Sequence, residues 1–161
     1  MPIPERRSEL IADMMARTGI NAAMIERLVH SFYKKVREDA LLGPVFDARV
    51  KNWDAHLARM CLFWSSVALG SATYEGSPMQ VHAPLPVDAH HFDRWLELFE
   101  ETANEVCPPV AAKHFVLRAR RIAQSLELGI AVHNGQIPRK GERYYRQPRD
   151  ATAALEASTT G

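Results

Sequence analysis

Cysteine is almost missing from this chain: Cys61 and Cys107 stand far apart, with no CxxC or CxxCH around them. That excludes a disulfide framework, a cysteine zinc site and cofactor attachment through cysteine, and it reads as two reduced thiols. Charge of one sign is missing too. Lys and Arg number 20 against 19 Asp and Glu, so no global field draws in nucleic acid or an anionic membrane. No run approaches the roughly 18 apolar residues of a membrane span. Pro2, Pro4, Glu5, Arg6 and Arg7 precede only a short apolar stretch, which is not a signal peptide. The expectation is a soluble, cytoplasmic protein. There is no internal repeat and no HExxH, so neither a solenoid nor a zincin is supported. The adjacent His90 and His91 point about 100° apart on a helix and cannot share one metal comfortably.

What is present is helical spacing. The 161 residues and 47% hydrophobic content suit one domain with a real core. Leu10, Ile11, Met14 and Met15 lie on a short leading helix that stops at Thr18-Gly19. Asn21 caps the next, whose Ile25, Leu28, Val29, Phe32 and Val36 form a buried stripe reaching about Asp39. Gly43 and Pro44 interrupt that pattern, so Leu41 to Phe46 reads as an apolar corner packed on the core. Helical spacing resumes through Trp53, Leu57, Met60, Phe63, Trp64 and Val67, and Gly70 ends it. Pro78, Pro84 and Pro86 leave room for a turn or two of helix. Asp88 caps a fourth helix carrying Phe92, Trp95, Leu96, Phe99 and Val106, and Pro108-Pro109 separates it from a last one carrying Val110, Phe115, Leu117, Ile122, Ala123 and Leu126. Five helices and no strand make an all-α protein. Residues 1–20 read as an N-terminal extension and 21–133 as the domain. The polar composition of 134–161 reads as a flexible C-terminal tail.

Candidate chemistry centres on histidines and aromatics. His82 is stiffened by prolines on both sides, and a stiff segment can aim an imidazole; taken alone, a loop histidine is more often a solvated side chain. His56 shares a helical face with Met60, four residues on. It can wall an apolar pocket or sit at the core edge with one nitrogen in water. Tyr33 and Trp95 sit beside or among the inward positions, where the polar atom of a buried aromatic needs a partner.

These pieces together resemble a known family. Phe32-Tyr33-Lys34-Lys35-Val36-Arg37, Leu42-Gly43-Pro44-Val45-Phe46, Trp53-Asp54-Ala55-His56 with Phe63-Trp64, Leu69-Gly70 with Tyr74 and Gly76, Pro78 leading to His82 and Leu85-Pro86, and Phe92 with Arg94-Trp95-Leu96-Glu97-Leu98-Phe99 are similar to the third group of truncated haemoglobins. They cover residues 25–129 in the family's order. All eight glycines are isolated, as in that group and unlike the others.

The resemblance implies a globin-like two-over-two helical sandwich around a non-covalent haem b, iron protoporphyrin IX. It implies His82 as proximal iron ligand, and Tyr33, His56 and Trp95 around the distal side with Met60 beside them. Phe46 packs on the porphyrin, with Phe63 in the pocket wall. Arg59 either meets a haem propionate or is a solvated surface residue. Small ligands such as O2, CO, NO or peroxide follow. Three distal donors favour retaining a ligand over delivering it, which points to peroxide or nitric oxide detoxification, with haem peroxidase or nitric oxide dioxygenase activity open, and an unidentified reductase as partner of a monomer. A haem-based gas sensor, or a helical partner-binding domain whose aromatics only fill a core, are the alternatives.

Overall fold

The computed structural model describes residues 3–71 and 76–147, and among them there are seven helices and no strand. They are α1 (Ile3–Thr18), α2 (Ala22–Glu38), α3 (Gly43–Arg49), α4 (Trp53–Leu69), α5 (Pro78–His82), α6 (Ala89–Val106) and α7 (Pro109–His133). Local signals set most boundaries. The Asn21 side chain accepts from Met24 N–H at 2.9 Å to start α2, and Asn52 accepts from Ala55 N–H at 3.1 Å to start α4. Asp88 opens α6 as one half of a capping box completed by His91. Gly70, at φ 73°, closes α4 in the left-handed conformation that glycine adopts without strain.

The α2–α4 pair lies over the α6–α7 pair, with α2 also packed on α6. The four helices form a two-over-two sandwich. Its aromatic centre is continuous: Phe99 stacks between Trp64 (4.8 Å) and Trp95 (5.4 Å), and Phe32 meets Phe99 edge-on at 5.3 Å. Such pairs add about 0.5–1.5 kcal/mol each beyond burial. No backbone of α4 comes within 8 Å of α5 or α6. The Trp64–Phe99 stack spans the gap between α4 and α6.

Two helices exceed the five expected. The corner at Leu41–Phe46 is the start of α3, because a proline in the first turn forfeits an N–H that has no intrahelical partner anyway. Gly43 permits this close approach, since a Cβ there would lie 2.9 Å from the Arg37 carbonyl oxygen. Asp39 fixes the corner: it accepts from Leu41 and Leu42 N–H at 3.1 and 3.0 Å and from Arg94 Nε at 2.7 Å. Burial would raise the Asp39 pKa, yet these hydrogen bonds outweigh it and hold the carboxyl below its usual range. The second addition, α5, is the single turn that fits between Pro78 and Pro84.

Residues 134–147, the first part of the expected tail, continue past α7. They fold back across α6 and α7, and Tyr144 is only 1% exposed, inside a cluster with Val87, Phe92, Leu126 and Ile130. One large aromatic and a few paired charges suffice to dock a segment whose composition is polar. Residues 148–161, the remainder of that expected tail, lie outside the described residues, as does Tyr74. Among the described residues, no helix is long and apolar enough to cross a membrane.

Candidate functional site

α2 contributes Tyr33 on the edge of its buried stripe, α3 contributes Phe46, and the first turns of α4 contribute Trp53 and His56. The four rings meet. Tyr33 and His56 are edge-to-face at 5.0 Å, Tyr33 and Phe46 lie 5.7 Å apart, and Phe46 and His56 lie 6.3 Å apart. Trp53 packs against His56 at 5.5 Å and Tyr33 at 6.0 Å, and Arg37 covers its ring at 4.4 Å. The cluster is an apolar wall with two polar atoms set into it.

One of those two atoms is left unsatisfied by the protein itself. His56 Nε2 is buried with no hydrogen-bond partner. Burial, then the positive charge of Arg59, then His82 hold the His56 pKa below its ordinary value, so the ring is neutral and keeps one N–H to donate. Burial pushes the Tyr33 phenol well above its usual pKa, so it stays a hydroxyl. An orphaned buried nitrogen costs about 1–3 kcal/mol, which makes it a sign of a partner belonging to another molecule.

His82 ends α5. Its Nδ1 lies 2.6 Å from the Pro78 carbonyl oxygen, and because a carbonyl only accepts, Nδ1 carries the proton. Nε2 is thereby left with a free lone pair, the state in which an imidazole binds a metal. Met79, in the same turn, sits in the notch of α7 at Gly129, where its thioether occupies the place of a Cβ. His82 is also near enough to His56 to oppose a proton there.

The other expected residues fall as follows. Trp95 is half-buried, stacked on Phe99 and edge-on to Phe32 at 5.4 Å, and Phe32 in turn meets Tyr33 at 5.1 Å. Met60 and Phe63 are half-buried on α4 against the main core, Phe63 edge-on to Trp64 at 5.5 Å. Arg59 is exposed and joins no ion pair among the described residues. Two participants escaped the sequence reading: Trp53, whose helical spacing marked it only as core, and the Pro78 carbonyl. The latter was legible in principle, since a residue four before a histidine is its neighbour on any helical turn.

Fold and site together define a globin. The family model of bacterial-like globins matches residues 15–125. The group 3 truncated haemoglobin of Campylobacter jejuni is 35% identical over 113 residues, 67% of this chain and 89% of the relative. The crystal structure of the group III truncated haemoglobin from Campylobacter jejuni superposes with a TM-score of 0.63 at 35% identity, over the same 67% and 89%. The chain belongs to the bacterial-like globin family, as a truncated haemoglobin of the third group. Haem binding and the capture of small gas ligands are its general function.

Proposed function

We propose that His82 holds the iron of a haem b through Nε2, with Tyr33, His56 and Trp95 as donors on the opposite side and Phe46, Met60, Phe63 and Arg59 along the pocket. The observation that carries this reading is the pairing of two imidazoles in complementary states. One has its Nδ1 proton committed to Pro78 and Nε2 free; the other buries an unpartnered Nε2. An apolar aromatic wall, a free imidazole nitrogen and a second buried imidazole nitrogen lacking a partner all fit a haem with a small ligand beside it.

When bound, haem supplies an iron centre that captures diatomic gases and exchanges single electrons. The rest is the work of the chain. The Pro78 carbonyl orients the His82 ring and increases its basicity. Tyr33 stays protonated, and His56 stays neutral, so each offers a hydrogen where a ligand gains negative charge. Trp53, Phe46 and Phe32 keep water out, which strengthens both donors.

A charge-assisted hydrogen bond in such a site is worth about 1.5–3 kcal/mol, roughly tenfold to hundredfold in dissociation. Two of them favour retention over delivery. The function we infer is therefore reductive or oxidative turnover of a held ligand, peroxide reduction or oxidation of nitric oxide with dioxygen, carried out in the cytoplasm by a monomer with a separate reductase. Stopped-flow O2 release tests it: slow release is expected, and fast, unrestrained release from the wild-type protein would contradict it.

A further inference from the structure

The region that matches the family model stops at residue 125, yet the chain continues into a strap, residues 134–147, that is fastened to the segment following His82. We propose that this strap, with Arg143 as its principal anchor, positions the proximal imidazole; the inference rests on His82 being the iron ligand.

A one-turn helix such as α5 cannot hold its own geometry, because forming a first turn is unfavourable in isolation. Its orientation has to come from neighbours. On one side Met79 fills the Gly129 notch. On the other, the chain leaving His82 is tied down in steps: Leu85 N–H donates to the His82 carbonyl at 3.0 Å, and Val87 N–H to the Leu85 carbonyl at 2.9 Å. The far end of that loop is then held by the strap. Arg146 donates its guanidinium to the Pro86 carbonyl at 3.4 Å and its backbone N–H to Asp88 Oδ2 at 3.1 Å, while Ala89 N–H donates to the Tyr144 carbonyl at 2.8 Å.

The strap is in turn locked to α7. Glu127 is 8% exposed, and its carboxylate takes both Arg143 Nε (2.9 Å) and Arg143 Nη2 (2.7 Å), plus Tyr144 N–H (3.1 Å). Arg143 also reaches Asp93 Oδ1 at 2.7 Å and the Ala89 carbonyl at 3.4 Å, so one guanidinium joins α7, the strap and the first turns of α6. A forked pair on a buried carboxylate fixes direction as well as distance. The chain from Pro86 to Ala89 is consequently tied to α7 through the strap, and loosening those ties is expected to let α5 shift and the His82 ring turn about its Cβ–Cγ bond, away from Pro78.

The test uses the haem-loaded protein in wild-type form and as Arg143→Met, Arg143→Lys, Arg146→Met and His82→Gly. Resonance Raman of the ferrous protein reads the iron–imidazole stretch, and hemin transfer to an acceptor apoglobin reads retention. Expected are a displaced, broadened stretch and hemin loss about tenfold faster in Arg143→Met, the low end for groups that support a metal ligand. Arg146→Met should show a smaller effect of the same kind, and Arg143→Lys a partial return. Should Arg143→Met not fold, Arg146→Met decides alone, since it removes only the guanidinium contact with Pro86. A stretch that vanishes in His82→Gly but stays unmoved in the strap variants, with only thermal stability lowered, overturns the positioning role and leaves His82 as ligand. A stretch that survives in His82→Gly overturns both.

Discussion

Replacing His56 with leucine separates a structural histidine from a functional one, because the first role predicts lost stability and the second predicts faster ligand release. In the apoprotein, His56 Nε2 is buried without a partner, at an expected cost of about 1–3 kcal/mol. Leucine is similar in size and has no polar atom to desolvate. Against this relief stands the loss of ring-edge contact with Tyr33 at 5.0 Å and Trp53 at 5.5 Å, of order 0.5–1.5 kcal/mol for a well-placed pair. Counting both pairs, the two sides cancel to within about 1 kcal/mol, so at neutral pH the melting temperature should stay within about 2–4 °C of wild type. A gain should open in acid. Burial first, then Arg59 and His82, depress the folded-state pKa of His56, so the unfolded chain binds the proton more readily. The stability tied to neutral His56 is complete above the unfolded pKa of about 6.5 and is lost as pH falls from there toward the folded value. The leucine variant lacks that loss. In the haem-loaded protein the effect falls on the ligand, with O2 leaving roughly tenfold to hundredfold faster once a charge-assisted donor is gone. Calorimetry of the apoprotein from pH 8 to pH 5, paired with stopped-flow O2 release, reads both. A variant that melts well below wild type and releases O2 at the wild-type rate would make His56 a structural residue with no part in ligand retention.

Three further outcomes are expected. Tyr33→Phe should leave apoprotein stability within about 1 kcal/mol of wild type, since burial alone accounts for its shifted pKa, while accelerating O2 release roughly tenfold or more by stopped flow. Trp53→Ala removes a ring that covers His56 at 5.5 Å; an NMR titration of the apoprotein should find the His56 pKa moved back up toward its ordinary value, because desolvation is the largest cause of its depression. Gly70→Ala forces a side chain into φ 73° and should cost about 1–2 kcal/mol, seen as a lower melting temperature with unchanged ligand kinetics.

What the sequence made legible follows the range of the interactions involved. Asn21 and Asp88 as caps and Gly70 as a stop are signals contained within one helical turn, and each sits where its chemistry required. α3 was obscured because glycine and proline read as breakers, although a first-turn proline begins a helix as readily as it prevents one. The strap was hidden for a different reason. Its docking depends on one buried ring, Tyr144, and on pairings of Arg143 with Glu127 and Asp93 across 16 and 50 positions, and no local pattern reports on those. At the site, spacing alone marked Tyr33, Trp53 and Trp95 as core aromatics, and only the resemblance separated Tyr33 and His56 from ordinary core positions. The physical signature that sets them apart, a buried nitrogen without a hydrogen-bond partner and a phenol with its pKa driven up, exists only once α2, α3 and α4 are brought together.

The proposed grip of His82 Nε2 on the iron is read most directly from the absorption spectrum of ferrous His82→Gly, purified with ample haem supply, before and after adding free imidazole. Wild-type protein is expected to show an imidazole-ligated haem spectrum, His82→Gly to lose it, and imidazole entering the vacated space to restore it. A His82→Gly protein that retains the wild-type spectrum with no imidazole added would rule out His82 as the ligand.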